Sequence, residues 1–185
     1  MSTALKHMTS DEFLRWAEGE EGRWELHDGL PALMSPERVL HGDTKGEAYV
    51  ALREAVRRAG LPCRVYPDGV AVRIDAQATY QPDASVSCGP RPPVGAQAIR
   101  DPVVVVEVLS PSTAAIDHGR KLSGYFSLPS VQHYLILDPD RRVVIHHKRG
   151  QGEAIETRVL PEGVARLDPP GFEVAVEAMF PPPSV

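Results

Sequence analysis

The run DPVVVVEVLS, residues 101–110, decides how this chain folds. Valines at 103–106 and 108 are interrupted only by Glu107, the pattern of a central strand covered on both faces. A carboxylate in such a strand is costly. Taking it out of water costs several kcal/mol, so it must be protonated, paired with a cation, or held at the mouth of a cleft. Glu107 stands at the strand's C-terminal end, which favours the cleft.

Upstream, QPDASVSC at 81–88 reads as a neighbouring strand. Alternation puts Ala84, Val86 and Cys88 on one face and Asp83, Ser85 and Ser87 on the other, so Asp83 opens the polar face. If the two strands pair antiparallel, the start of the first lies beside the end of the second, and Asp83 meets Glu107. Two carboxylates sharing a site cannot both ionise cheaply unless a cation neutralises them, and hard oxygen ligands suit magnesium or manganese. Downstream, Lys121 is expected on a helix that Ser112 or Thr113 can cap, with Asp117 and Tyr125 at i−4 and i+4 on its stripe. A helix folding back from the Glu107 strand could aim the ammonium into the carboxylate cleft.

Pro82-Asp83, Glu107 in EVLSPST, then Asp117, Lys121 and Tyr125, followed by VQHYLILDP, resemble the Uma-type restriction-endonuclease-like family, a branch of the PD-(D/E)XK nucleases. The resemblance extends upstream through RWELHDGLPALMSP and His41, from about residue 8 to about residue 180. It implies an α/β fold with a restriction-endonuclease-like mixed β-sheet core flanked by helices, preceded by an N-terminal helix and hairpin. It further implies a Mg2+ (or Mn2+) site and DNA as substrate. The nuclease pattern asks for a lysine two residues after the strand glutamate, where this chain has Leu109; in this branch Lys121 takes that place from the following helix. Related folds often set an acid on the first core helix, which makes Glu47 an accessory candidate.

At 185 residues the chain fits a single domain, with the core at about 36–147. Its net charge of −5 and pI near 5.8 argue against a protein that coats nucleic acid electrostatically. Arg53, Arg57 and Arg58, and Arg141, Arg142, Lys148 and Arg149, are local basic groups best read as solvated faces. Cys63 and Cys88 are too few for a disulfide framework and lack zinc-ligand spacing, so a reducing cytoplasm is the expected compartment and Cys88 a packing residue. No apolar run reads as a signal peptide or membrane span.

In chain order, Thr9 or Ser10 caps a helix over DEFLRWAEG, and GRWELHDGLPALM forms a hairpin about Asp28-Gly29. Alternation turns Glu25 and His27 away from Trp24 and Leu26, onto a face expected to be solvated, with Glu25 held as a candidate accessory acid. A long helix from Pro36 to Gly60 buries Ala48, Leu52, Ala55, Val56 and Ala59. Extended backwards, that stripe reaches His41 and Lys45, a polar pair that either points into a site or marks where the helix leaves the core. Two short strands flank Pro67-Asp68-Gly69, residues 90–102 form a loop, and strands follow at 131–137 and 143–147. His133, His146 and His147 scatter over that hairpin without ligand spacing. Two further strands, 155–160 and 172–176, are expected to complete one mixed sheet.

These readings predict a magnesium-dependent endonuclease in which Asp83, Glu107 and the carbonyl of Val108 hold the ion and Lys121 acts on water. His41, Glu25, Glu47, Asp117 and Tyr125 are accessory candidates, and cutting both strands would favour a homodimer. The alternative is a non-catalytic DNA- or protein-binding module that keeps the nuclease fold, which the acidic pI and Leu109 favour.

Overall fold

The computed structural model describes residues 6–109 and 117–183. The elements are α1 (Ser10–Ala17), β1 (Trp24–His27), β2 (Leu30–Leu33), α2 (Val39–Arg58), β3 (Arg64–Pro67), β4 (Ala71–Arg73), β5 (Thr79–Tyr80), β6 (Ala84–Ser87), β7 (Ala98–Ile99), β8 (Val104–Val108), α3 (Asp117–Ser127), β9 (His133–Asp138), β10 (Val143–Arg149), β11 (Ile155–Leu160), β12 (Val164–Leu167) and β13 (Phe172–Ala175). A 3-10 turn at Glu177–Met179 follows.

The central sheet has the order β11-β10-β9-β8-β6-β3. β6 and β8 pair antiparallel, with Ala84 opposite Val106 and Val86 opposite Val104, so Asp83 falls beside the end of β8 as the alternation requires. β9 runs parallel to β8, joined through α3. Val104, Val105 and Val106 are fully buried, and they divide between two cores. On one face Val104, Val106 and Val108 pack against α2 and the β12–β13 hairpin. On the other, Val105 meets Tyr125 and Phe126 of α3 and Val72, Tyr80 and Ile99.

That second face is roofed by a separate sheet, β2-β1-β5-β4-β7. Residues expected to be only loop supply β7, which pairs parallel with β4. Likewise β13 pairs with β12 in its own hairpin instead of completing the central sheet. β12 escaped notice because VARL is short and its exposed face carries Val164 beside Arg166, which blurs the apolar-polar alternation.

Thr9 closes a capping box with Glu12 at the start of α1. Asp28 and Gly29 both take positive φ, 50° and 78°, as a two-residue turn requires. This tight turn sets Leu26 opposite Pro31 and Glu25 opposite Ala32. Leu26 and Pro31 are buried on the core side, whereas Leu30 and Leu33 are exposed. The Glu25 face is not solvated: Glu25 is only 4% exposed.

Cys63 and Cys88 are joined by a disulfide, contrary to their expected reduced state. Arg64 pairs with Ser87 across β3 and β6, so the flanking cysteines lie opposite one another, a proximity that composition alone does not reveal. Arg149 is no surface cation: its guanidinium donates to the carbonyls of Phe126, Leu128 and Val131 and fastens the end of α3. His133 and His146 are brought together as a buried pair, Nδ1 to Nε2 at 2.9 Å, and burial pushes both pKa values down to about 4. No helix among the described residues is long and apolar enough to cross a membrane.

Candidate active site

A cleft of about 310 Å³ opens where β8 ends and β6 begins. Asp83, Glu107, Val108 and Lys121 line it together with Glu25, His41 and Lys45. Five elements converge here: the ends of β6 and β8, the N-terminal half of α2, the middle of α3, and the β1–β2 hairpin.

Lys121 reaches Glu107 from α3. Its Nζ lies 3.1 Å from Glu107 Oε1 and 3.0 Å from Glu25 Oε1. One turn on, the Tyr125 hydroxyl donates to the same Glu107 oxygen at 2.6 Å. Burial drives the Glu107 pKa up to about 8, opposed by Lys121 and reinforced by the charges of Asp83 and Glu25. Burial works on Glu25 as well, but Lys121, the His27 ring and the Gln81 N–H outweigh it and bring its pKa down to about 2. The two acids share one ammonium, which favours the ionised form of Glu25, while burial favours the protonated form of Glu107.

Asp83 belongs to a second cluster. Its Oδ2 accepts the Val108 N–H at 2.6 Å, and its Oδ1 lies 2.7 Å from Lys45 Nζ. Burial raises its pKa against the pull of Lys45. Lys45 also bonds Asp68 Oδ2 at 3.0 Å and a Glu37 oxygen. Burial opposes the charge of Lys45, yet Asp83, Glu37 and Asp68 hold its pKa above the usual lysine value. Arg23 pairs with both Glu37 and Asp68 from the outer side. His41 Nε2 donates to the Val108 carbonyl at 2.8 Å. The ligand oxygens of Glu37, Asp68 and Asp83 all lie within 4.8 Å of one another, a spacing that could hold a metal ion.

Of the residues expected at the site, Asp83, Glu107, Val108, Lys121, His41 and Glu25 thus come together, and Tyr125 touches Glu107 from below. Glu47, half-buried on α2, is not among the cleft-lining residues. The side chain of Asp117, and Ser112 and Thr113 as caps, lie outside the described residues. Arg100 lines a different cavity, with Arg73, beside the loop at 89–101.

Sequence reasoning missed Glu37, Asp68 and Arg23. Asp68 sits in Pro67-Asp68-Gly69, where turn chemistry already accounts for an aspartate, and Glu37 precedes α2 with no periodic pattern to mark it. Lys45, two turns into α2 on the stripe of Ala48 and Leu52, was the available signal. A lysine in line with an apolar stripe needs a buried acid, and its carboxylates were there to be sought.

A mixed sheet with acids on adjacent antiparallel strands and helices on both faces defines a restriction-endonuclease-like α/β protein. The Uma2 family profile, described as "Putative restriction endonuclease", matches residues 10–179, and the chain belongs to that family. "Uncharacterized protein slr1290" of Synechocystis sp. (strain ATCC 27184 / PCC 6803 / Kazusa) is 28% identical over 185 residues, covering 97% of this chain and 94% of the relative. A crystal structure from Anabaena variabilis ATCC 29413, described as "a putative nuclease belonging to DUF820", superposes with a TM-score of 0.73 at 20% identity, covering 94% of this chain and 97% of the other. It is the fold that the two share.

Proposed function

We propose that this protein is a metal-dependent endonuclease that hydrolyses DNA phosphodiester bonds, with Asp83, Glu107 and the Val108 carbonyl holding Mg2+ or Mn2+. The observation that carries the reading is the meeting of Asp83, Glu107 and Lys121 in one cleft, from three separate elements. The donor set fits such an ion: two carboxylates and a carbonyl are hard oxygen ligands. A carbonyl has two lone pairs, so Val108 can serve both His41 and a cation. The raised pKa of Glu107 marks a surplus of buried acid that a cation would relieve.

When bound, the ion would neutralise phosphate charge and make water more acidic. The chain's own residues supply the rest. Lys121, anchored by Glu25, is poised to orient water and to stabilise charge building on the phosphate. Tyr125 fixes the rotamer of Glu107. His41 fixes the carbonyl at the end of β8. Nicking of supercoiled DNA should require magnesium, stop with EDTA and fail in Asp83→Ala; equal activity in all three conditions would defeat the reading.

A second reading, a module that binds DNA or protein without cutting, is favoured by one feature. Each proposed ligand acid already has an ammonium, Asp83 with Lys45 and Glu107 with Lys121. Calorimetry separates the two: no heat with millimolar magnesium would favour the module.

A further inference from the structure

The carboxylates of Glu37, Asp68 and Asp83 surround Lys45 Nζ, and Lys45 is only 6% exposed. His41 packs beside the same cluster: its Nε2 donates to the Val108 carbonyl, which can only accept, and its Nδ1 lies 3.3 Å from Glu37 Oε2.

We infer that Lys45 is a built-in counter-cation for this half of the cleft, and that a divalent ion binding Asp83 displaces its ammonium towards solvent. The inference rests on Asp83 being an ion ligand, and goes beyond that reading by making ion uptake a competition with the chain's own lysine. An ammonium 2.7 Å from Asp83 Oδ1 stands within about 5 Å of any ion on the same oxygen, where unit charges repel strongly even at an effective dielectric near 20. Both cations cannot keep those positions at low cost. The ion-free protein is thereby held together by Lys45, and ion affinity is set by how readily Lys45 leaves.

Mn2+ alone is the probe, with free ion counted by its EPR signal in titrations of wild type, Lys45→Met and Lys45→Arg. Lys45→Met should bind Mn2+ at least roughly tenfold more tightly than wild type, and Lys45→Arg, which keeps the charge, should stay near wild type. Wild-type protein gives a second reading that needs no variant: reductive methylation of Lys45, followed by mass spectrometry with Lys148 as reference, should be faster with saturating Mn2+ than with EDTA. Equal affinity in Lys45→Met and wild type, or methylation of Lys45 indifferent to Mn2+, overturns the role of Lys45 and leaves the endonuclease reading intact. Absence of Mn2+ binding in all three proteins removes the ion from the cleft and overturns both.

Discussion

Replacing Glu107 with Gln keeps an acceptor for Lys121 and Tyr125 while removing the one acid whose pKa is raised to about 8. In the unfolded chain that carboxyl titrates near its ordinary value of 4.5. The native state therefore holds a proton the unfolded state has released, so the stability it confers is full below about 4.5 and is lost as pH rises through about 8. Between pH 6 and pH 8 the loss integrates to about 2 kcal/mol. His133 and His146 push the other way, since their lowered pKa values destabilise the native state as pH falls through the ordinary histidine range. Both proteins contain them, so the difference between wild type and Glu107→Gln cancels their contribution. Urea unfolding in EDTA at pH 6, 7 and 8 should show wild type weakening relative to Glu107→Gln by about 2 kcal/mol across the series. A difference that stays constant with pH would show that Glu107 is ionised at neutrality, and the proton assignment in the cleft would fall.

Glu25→Gln should lower the pKa of Glu107, because Glu25's charge is among those raising it and Glu25 would no longer compete for the Lys121 ammonium; carboxyl carbon NMR reads this directly, and an unmoved Glu107 titration would uncouple the two acids. Gly124→Ala should destabilise by about 1–3 kcal/mol, less roughly 1 kcal/mol regained from helix propensity, because a Cβ would stand 2.7 Å from Tyr80 Cε2. Chemical denaturation measures it, and a stabilised variant would refute the contact. Reduction of the Cys63–Cys88 bridge, which spans 25 positions, should cost about 3 kcal/mol, and two titratable thiols in protein denatured without reductant would refute the bridge itself.

The central strand could be read because its physics is local. Five valines around one glutamate exclude most alternatives, and alternation in β6 then leaves Asp83 only one position if the pair is antiparallel. What escaped was decided by register and by distant partners. Glu25 looked solvated because alternation opposes it to Leu26, yet a strand roofed on one side by the core and on the other by a cleft buries both. Glu37 and Asp68 are far apart in sequence and meet only through Lys45. The disulfide, and the diagonal pairing of His133 with His146 across β9 and β10, likewise depend on strand register that no single segment carries.

The exchange of a strand lysine for Leu109 is intelligible on the same grounds. Leu109 packs against the second core while also lining the cleft, so an ammonium at that position would have to be drawn out of apolar surroundings. From α3, Lys121, only 6% exposed, reaches the Glu107 carboxylate, and Tyr125 four residues on approaches the same oxygen. Two donors spaced one turn apart on a helix hold a carboxylate in a single rotamer more firmly than one flexible side chain on the strand could. The relocation therefore costs the site no amine. It adds a constraint, since Lys121 must be anchored from its far side, and Glu25 supplies that anchor from the β1–β2 hairpin. The hairpin that precedes the core is thereby tied into the cleft, because its Glu25 holds the same ammonium that Glu107 does.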